Sequence, residues 1–340
     1  MREIKSTKKT NFLKKILIKI CRLLGYELID QSTLEFPVSN FKNSNQISVP
    51  GKKSISLGSG EINITRKVGG LDIIFKTCTN VQLVTQSKKR IFEKEKSEYT
   101  FRTAKSLYES LKNLKKNFPD ISINITIIDD NSSEVDKQKI ISCFGEFKCN
   151  LIPVDRKRLR FQPKIINRNN EIIEKNISNT MASIYQSFIE AKNCKDLIYF
   201  VEDDYIHQAE ALSEMVFSYE KFSSIFQKEL FILSTDYPYL YKKLENSSIL
   251  IGENYHWRSV KESLLTFLTS KKMIIKHFDK LEEMATVESN PFEKNLHQIY
   301  EKELCISPVP SLSVHLTNIN SAYGLSPNID IKKIWDKNEN

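Results

Sequence analysis

A chain of 340 residues, 40% hydrophobic and 10% aromatic, is long and apolar enough to build a substantial core, as one large domain with appendages or as two smaller ones, and global disorder is excluded. Its net charge of +9 is lopsided. Residues 1–22 carry Arg2, Lys5, Lys8, Lys9, Lys14, Lys15, Lys19 and Arg22 against Glu3 alone, which is +7 of the total. The rest of the chain is nearly neutral, so a broad nucleic-acid footprint is not supported.

Within that basic segment Phe12, Leu13, Ile16, Leu17, Ile20, Leu23 and Leu24 recur at helical spacing, opposite Lys14, Lys15, Lys19 and Arg22, with Ile18 as the exception. Gly25 is a natural stop. No stretch approaches the roughly 18–20 apolar residues needed to span a bilayer. A cationic amphipathic helix of this kind fits an anionic membrane surface or the protein's own core, and both readings stand. From Asp30 to about Gly70 the chain is polar and rich in Gly and Pro. Ile55 to Leu57 and Ile62 to Thr65 flank a Gly-Ser-Gly turn and predict a small hairpin. Residues 1–69 therefore read as helix, linker and hairpin, 70–330 as the main domain, and 331–340 as a tail. No internal repeat is visible.

After Gly70 strands and helices alternate, which predicts a mostly parallel sheet in an α/β domain. Leu71 to Thr79 reads as a strand and Glu98 to Phe118 as an amphipathic helix stopped by Pro119. Ile121 to Ile128 is a strand closing on Asp129-Asp130-Asn131-Ser132-Ser133, and Asn150 to Val154 is a short one. Met181, Ile184, Tyr185, Phe188 and Ile189 form one buried helix face. A helix through Leu212, Met215, Val216, Tyr219 and Phe222 precedes a strand at Phe231 to Ser234 that ends on Thr235-Asp236. The six cysteines, at 21, 78, 143, 149, 194 and 305, have no metal-like spacing. With no evident cleavable signal peptide, they favour a reducing, cytoplasmic setting, at or away from a membrane face.

The run Leu197-Ile198-Tyr199-Phe200-Val201-Glu202-Asp203-Asp204 is the most informative: a buried strand ending in three consecutive acids. Like charges at a strand end repel and lose solvation if buried. A hard cation such as Mg²⁺ or Mn²⁺ relieves both costs, and ligands of open α/β sheets bind at the carboxyl ends of strands. A solvated turn before a helix would also accept such acids. The second acidic turn, at Asp129 to Ser133, is an ordinary Asx turn when taken alone. Together the two suit a nucleoside diphosphate, one turn facing the nucleoside and the other a metal on its phosphates.

Ile74-Phe75-Lys76-Thr77-Cys78-Thr79-Asn80, Ile127-Ile128-Asp129-Asp130-Asn131-Ser132-Ser133 and Tyr199-Phe200-Val201-Glu202-Asp203-Asp204 resemble the successive motifs of GT-A fold glycosyltransferases, of the family-2 and N-acetylglucosaminyltransferase I types. The resemblance implies a nucleotide-diphospho-sugar transferase fold over residues 70 to 330. It places Thr77 beside the nucleotide base and gives Asp130 the base-binding role. In the third motif, an E-D-D form of D-x-D, Asp204 would bind the metal, while Glu202 and Asp203 face the ribose and the groups behind the metal. Asp236 stands where the N-acetylglucosaminyltransferase I type carries its catalytic base, with Glu288 in reserve. Glu293 ranks lower, because Asn290-Pro291-Phe292-Glu293 reads as a helix cap. Arg258, in His256-Trp257-Arg258, can grip a diphosphate as a fork of donors or simply pack at the surface. Pro308 to His315 reads as one apolar strand, and its closing His315 resembles the C-terminal histidine that completes the metal shell in several GT-A enzymes. The family's Gly-Gly-Phe and Glu-Asp motifs are missing after Asp204, which leaves the acceptor side open.

The implied activity is transfer of a sugar from a nucleotide-diphosphate donor to the hydroxyl of a glycan, lipid-linked or protein acceptor, with Mn²⁺ or Mg²⁺ as cofactor. Such an enzyme would serve surface polysaccharide, lipopolysaccharide or glycoprotein glycan assembly. Two alternatives remain: a sugar nucleotidyltransferase, disfavoured because Thr77 to Thr85 holds no glycine for a phosphate loop, and a non-catalytic nucleotide-binding module at a membrane surface.

Overall fold

The computed structural model describes residues 12–26, 53–56, 60–80, 91–155, 157, 175–242, 244–287, 289, 291–316, 326 and 328–339. The chain divides into two compact units, Met1–Ile64 and Thr65–Asn340.

The first unit holds helix α1 (Phe12–Leu23) and a hairpin of β1 (Lys53–Ser56) and β2 (Gly60–Asn63), paired antiparallel with Ser56 opposite Gly60. The end of α1 follows from Gly25, whose φ of 82° only glycine adopts freely. With that turn in place Gly25 N donates to Arg22 O at 3.1 Å and Tyr26 N to Cys21 O at 2.9 Å, closing two of the helix's orphan carbonyls.

The second unit is α/β. In chain order it comprises β3 (Gly70–Thr77), α2 (Lys96–Asn117), β4 (Ser122–Asp129), α3 (Glu134–Ser142), β5 (Cys149–Pro153), α4 (Lys175–Ala191), β6 (Leu197–Glu202), β7 (Tyr205–His207), α5 (Ala211–Phe226) and β8 (Phe231–Leu233). A 3₁₀ turn (Pro238–Lys242) leads to β9 (Ile249–Ile251), β10 (His256–Ser259), β11 (Phe267–Ser270), α6 (Lys271–Lys276), α7 (Phe278–Thr286), α8 (Lys294–Tyr300), β12 (Cys305–Val309), β13 (Ser313–His315) and α9 (Ile331–Lys337). Among the described residues, nine strands form one sheet in the order β5-β4-β3-β6-β11-β8-β12-β10-β9. Only β11 and β10 run against the others. Strand β6 is apolar up to Glu202 and β3 through Ile73–Phe75, and Leu71, Ile73, Phe75, Leu197, Ile198 and Val201 are fully buried, as expected of central strands covered on both faces. Helix α4 packs on β3 and β4 and against α6 and α7, while α2 packs with α3 and α5. The expected α/β class, with a large, mostly co-directional sheet flanked by helices, is what the chain forms.

Two differences from the sequence reading matter for function. Pro308 to His315 is not one strand. Strand β12 ends at Val309, the chain turns at a cis Val309–Pro310 bond, and β13 leaves the main sheet to pair with β7. Pro308 is tolerated inside β12 opposite Trp257, and the strand ends one residue before the second proline, Pro310, which has no N–H to continue the ladder. Residues 331–340, read as a tail, contain α9, whose Trp335 is 3% exposed and stacks on Phe92 with centroids 4.2 Å apart. Ile331, Ile334 and Trp335 stand at i, i+3 and i+4, a helical apolar face only one turn long that the sequence reading leaves unassigned, and Ile331 and Ile334 pack with Trp335 in one small core.

Candidate active site

The parallel register sets the carboxyl ends of three strands side by side. Thr77 of β3 faces Asp129 of β4, and Lys76 faces Glu202 of β6. The first acidic turn is built by its own side chains. Asp129, 1% exposed, accepts from the Thr77 hydroxyl at 2.8 Å and from Ser132 N at 3.0 Å. This Asx arrangement accommodates Asn131 at a φ of 66°. Thr77 is itself buried and its proton is committed to Asp129, so toward a ligand it retains only acceptor capacity. Asp130, the next residue, is anchored by its backbone N to Thr77 O at 2.9 Å.

The second acidic turn separates its three acids by environment. Glu202 is half-buried and pairs with Lys76 at 3.0 Å. Asp203 points back into the protein: it pairs with Lys96 of α2 and accepts from Cys78 N and the Thr100 hydroxyl, each at 3.0 Å. Those three donors tie the end of β3 to the start of α2. The Cys78 thiol beside them is pushed up to about 12, chiefly by burial and then by Asp203 and Asp130, and stays protonated. Asp204 turns the other way. Its Oδ2 lies 3.4 Å from Nε2 of His315, 111 positions along the chain. The antiparallel pairing of β7 with β13 sets Tyr205 opposite His315 and makes that meeting possible. The two rings stack at 4.5 Å and 4°, and Leu316 N donates to Asp204 O at 2.7 Å.

A divalent cation fits this pair. Two ligands about 2.1 Å from one octahedral ion, at right angles, lie about 3.0 Å apart, close to the observed separation. Among the described residues no cluster of three or more His, Cys, Asp or Glu side chains could hold a metal by itself. Substrate phosphates and water would complete the shell, as is usual for Mg²⁺.

Asp236, just beyond β8, is 1% exposed. Its Oδ1 accepts from Arg258 Nη2 at 2.7 Å, Oδ2 from the Tyr241 hydroxyl, and its backbone N donates to Ser311 Oγ at 2.5 Å. Burial pushes its carboxyl above the usual range, opposed by Tyr241 and Arg258. Arg258 also covers the Tyr241 ring at 4.1 Å, so two residues singled out separately, Asp236 and Arg258, form one ion pair. A bond between the Tyr205 and Tyr237 hydroxyls, 2.8 Å long, links the chain beside Asp204 to the chain beside Asp236. Glu288 lies outside the described residues.

Sequence reading gave no role to Lys76, although it lies inside the first motif, passed over Lys96 and Tyr241, which no motif marks, and ranked Glu293 low. Burial pushes the Glu293 carboxyl up to about 7, with Glu202 adding to the rise and Lys76 and His315 opposing it. Glu293 is therefore within electrostatic reach of the acidic turn and of His315. Its helix-start position concealed this, because its spatial neighbours come from three distant segments.

No family model and no curated protein matches the chain. Solved structures similar to it include the galactosyltransferase LgtC in complex with donor and acceptor sugar analogs (13% identity, 66% of this chain and 70% of that one, TM-score 0.33). Others are S. aureus TarS 1-349 (10% identity, 70% and 57% covered, TM-score 0.40) and a UDP-glucose pyrophosphorylase complexed with UDP-glucose (8% identity, 78% and 96% covered, TM-score 0.36). Likeness at this level carries no argument about chemistry, which rests on the geometry above.

Proposed function

We propose that the chain is a metal-dependent glycosyltransferase of the GT-A type, moving a sugar from a nucleotide-diphosphate donor to an acceptor hydroxyl in glycan assembly. The observation that carries this reading is the meeting of Asp204 and His315 at 3.4 Å, just beyond the end of β6, with β3 between it and the β4 end that Asp130 follows. The nucleoside lies across the ends of β4 and β3, where Asp130 accepts from the base and Glu202 is the acid open to the ribose. Asp203 acts from behind, holding Lys96 and the end of β3 in place. Asp204 and His315 would hold the divalent ion, which when bound neutralises charge on the departing diphosphate. A mixed carboxylate–imidazole pair suits Mn²⁺ better than Mg²⁺, which prefers oxygen alone.

The remaining need is a base for the acceptor hydroxyl. Asp236 can serve once Arg258 lets go of it. A donor diphosphate is the stronger partner for a guanidinium fork, so donor binding would draw Arg258 away and free Oδ1. Glu293 is the rival, since a carboxyl poised near neutrality is matched to proton abstraction.

The test is a thermal-shift screen of nucleotide sugars with and without Mn²⁺, followed by assay of the products. A ligand that binds the folded state raises its melting temperature, and release of free nucleoside diphosphate marks glycosyl transfer. Formation of pyrophosphate from a nucleoside triphosphate and a sugar phosphate would establish the nucleotidyltransferase instead. Stabilisation with no turnover would leave a nucleotide-binding module, and no stabilisation by any nucleotide sugar refutes the reading.

A further inference from the structure

Helix α1 stands outside the catalytic reading, and its surface is unusual. Phe12, Leu13, Leu17, Leu23 and Leu24 are each more than half exposed, and Ile16 and Ile20 are at least 40% exposed. Scattered exposed leucines are ordinary, but a contiguous apolar face on one short helix marks a binding surface. The helix is also terminated cleanly by its Gly25 closure, so the face ends as a defined element about 18 Å long at 1.5 Å per residue. No described helix is long and apolar enough to cross a membrane.

Charge selects the occupant. The opposite face and the preceding residues carry eight basic side chains against one acid, whereas the rest of the chain is close to neutral. A partner helix would match the apolar stripe but leave most of that charge unanswered. An anionic bilayer matches both, taking the apolar side chains into the acyl boundary and the lysines into the headgroup layer. We infer that α1 is an in-plane anchor that docks this protein on membranes rich in anionic lipid. The inference is independent of the glycosyl-transfer reading, because it concerns a separate unit and needs no substrate.

The experiment is cosedimentation of the full chain with phosphatidylcholine vesicles, with and without phosphatidylglycerol. Binding is expected only to the anionic vesicles. It should weaken steeply as salt rises from about 0.1 M to 1 M, where the screening length shrinks from about 10 Å to about 3 Å. A basic side chain near such a surface contributes roughly fivefold in binding, so Lys15→Glu with Lys19→Glu should cost well over twentyfold. Leu13→Ser with Leu17→Ser should cost at least about tenfold by removing buried apolar surface. Melting temperature measured on each variant controls for the fold. Failure of the full chain to bind anionic vesicles overturns the inference, as does undiminished binding by the leucine variant. Self-association of the full chain that the leucine variant abolishes, without vesicle binding, would show that the face meets protein instead.

Discussion

Trp335 offers the sharpest check on how the site is held together. Its side chain is 3% exposed, stacked on Phe92, tilted against Tyr99 at 4.8 Å and covered by the Arg102 guanidinium at 4.3 Å. Arg102, itself buried, donates to the Trp335 carbonyl and pairs with Glu98 and Glu339. With Tyr99, Ile206, Val314 and Leu316, Trp335 forms a small core separate from the main one. Ile206 and Val314 belong to the β7–β13 ribbon and Leu316 follows it, so the anchor of α9 lies under the strands that bring His315 to Asp204. Trp335→Ala removes a large ring from a buried setting, which costs about 3–5 kcal/mol. At about 2 °C per kcal/mol for a domain of this size, melting should fall by roughly 6–10 °C. The assay is a scanning melt followed by calorimetry with Mn²⁺ and the donor found by screening, at a temperature where the variant is still folded. Donor affinity in Mn²⁺ should fall more than affinity without metal, and Trp335→Phe should restore most of both. A melting shift below about 2 °C would refute the reasoning, because α9 would then not be packed in solution.

Asp204→Asn and His315→Ala should each remove most of the divalent-ion dependence of donor binding, as read by calorimetry, with melting little changed in Asp204→Asn and lowered in His315→Ala by the lost stacking on Tyr205. Asp236→Asn should lower kcat by about 10²-fold or more if Asp236 is the base, while donor affinity holds or rises because Arg258 is released from its ion pair; near-normal turnover there, with loss in Glu293→Gln, assigns the role to Glu293. Glu220 is 2% exposed, and its carboxyl is pushed up to about 7 by burial, against its bond from Val68 N at 2.7 Å. The folded state thus keeps a proton that the unfolded chain loses above pH 4.5, so stability contributed by this group falls as pH rises toward about 7 and then levels off. Glu220→Gln should flatten that window and gain up to about 3 kcal/mol above it, measured by urea unfolding at pH 5 and pH 8. A parallel decline in both proteins would show that Glu220 is not the group responsible.

Local pattern carried much of the architecture. Apolar runs long enough to be central strands, the i, i+3, i+4 faces of α2, α4 and α5, and the pairing of β1 with β2 were legible because periodicity and turn chemistry are properties of neighbouring residues. The clustering of basic residues in 1–22 and the two acidic turns were legible for the same reason. What no local pattern carries is which segments meet. β11 comes from the apolar run Leu264 to Thr269, which the sequence reading leaves unassigned, and nothing local says that it enters the sheet antiparallel between β6 and β8. Glu202, Asp203 and Asp204 are adjacent in sequence, yet one faces Lys76, one is tied to Lys96 and Thr100, and one meets His315. A turn sends consecutive side chains in different directions, and only the packed neighbours decide what each finds there. The same holds for Trp335: its short apolar face with Ile331 and Ile334 is local, but its burial depends on Tyr99 of α2, Ile206 of β7 and Val314 of β13. The sequence alone determined the elements and the residues able to do chemistry; tertiary structure decided their partners, because hydrogen bonds and ion pairs depend on distance in space rather than along the chain.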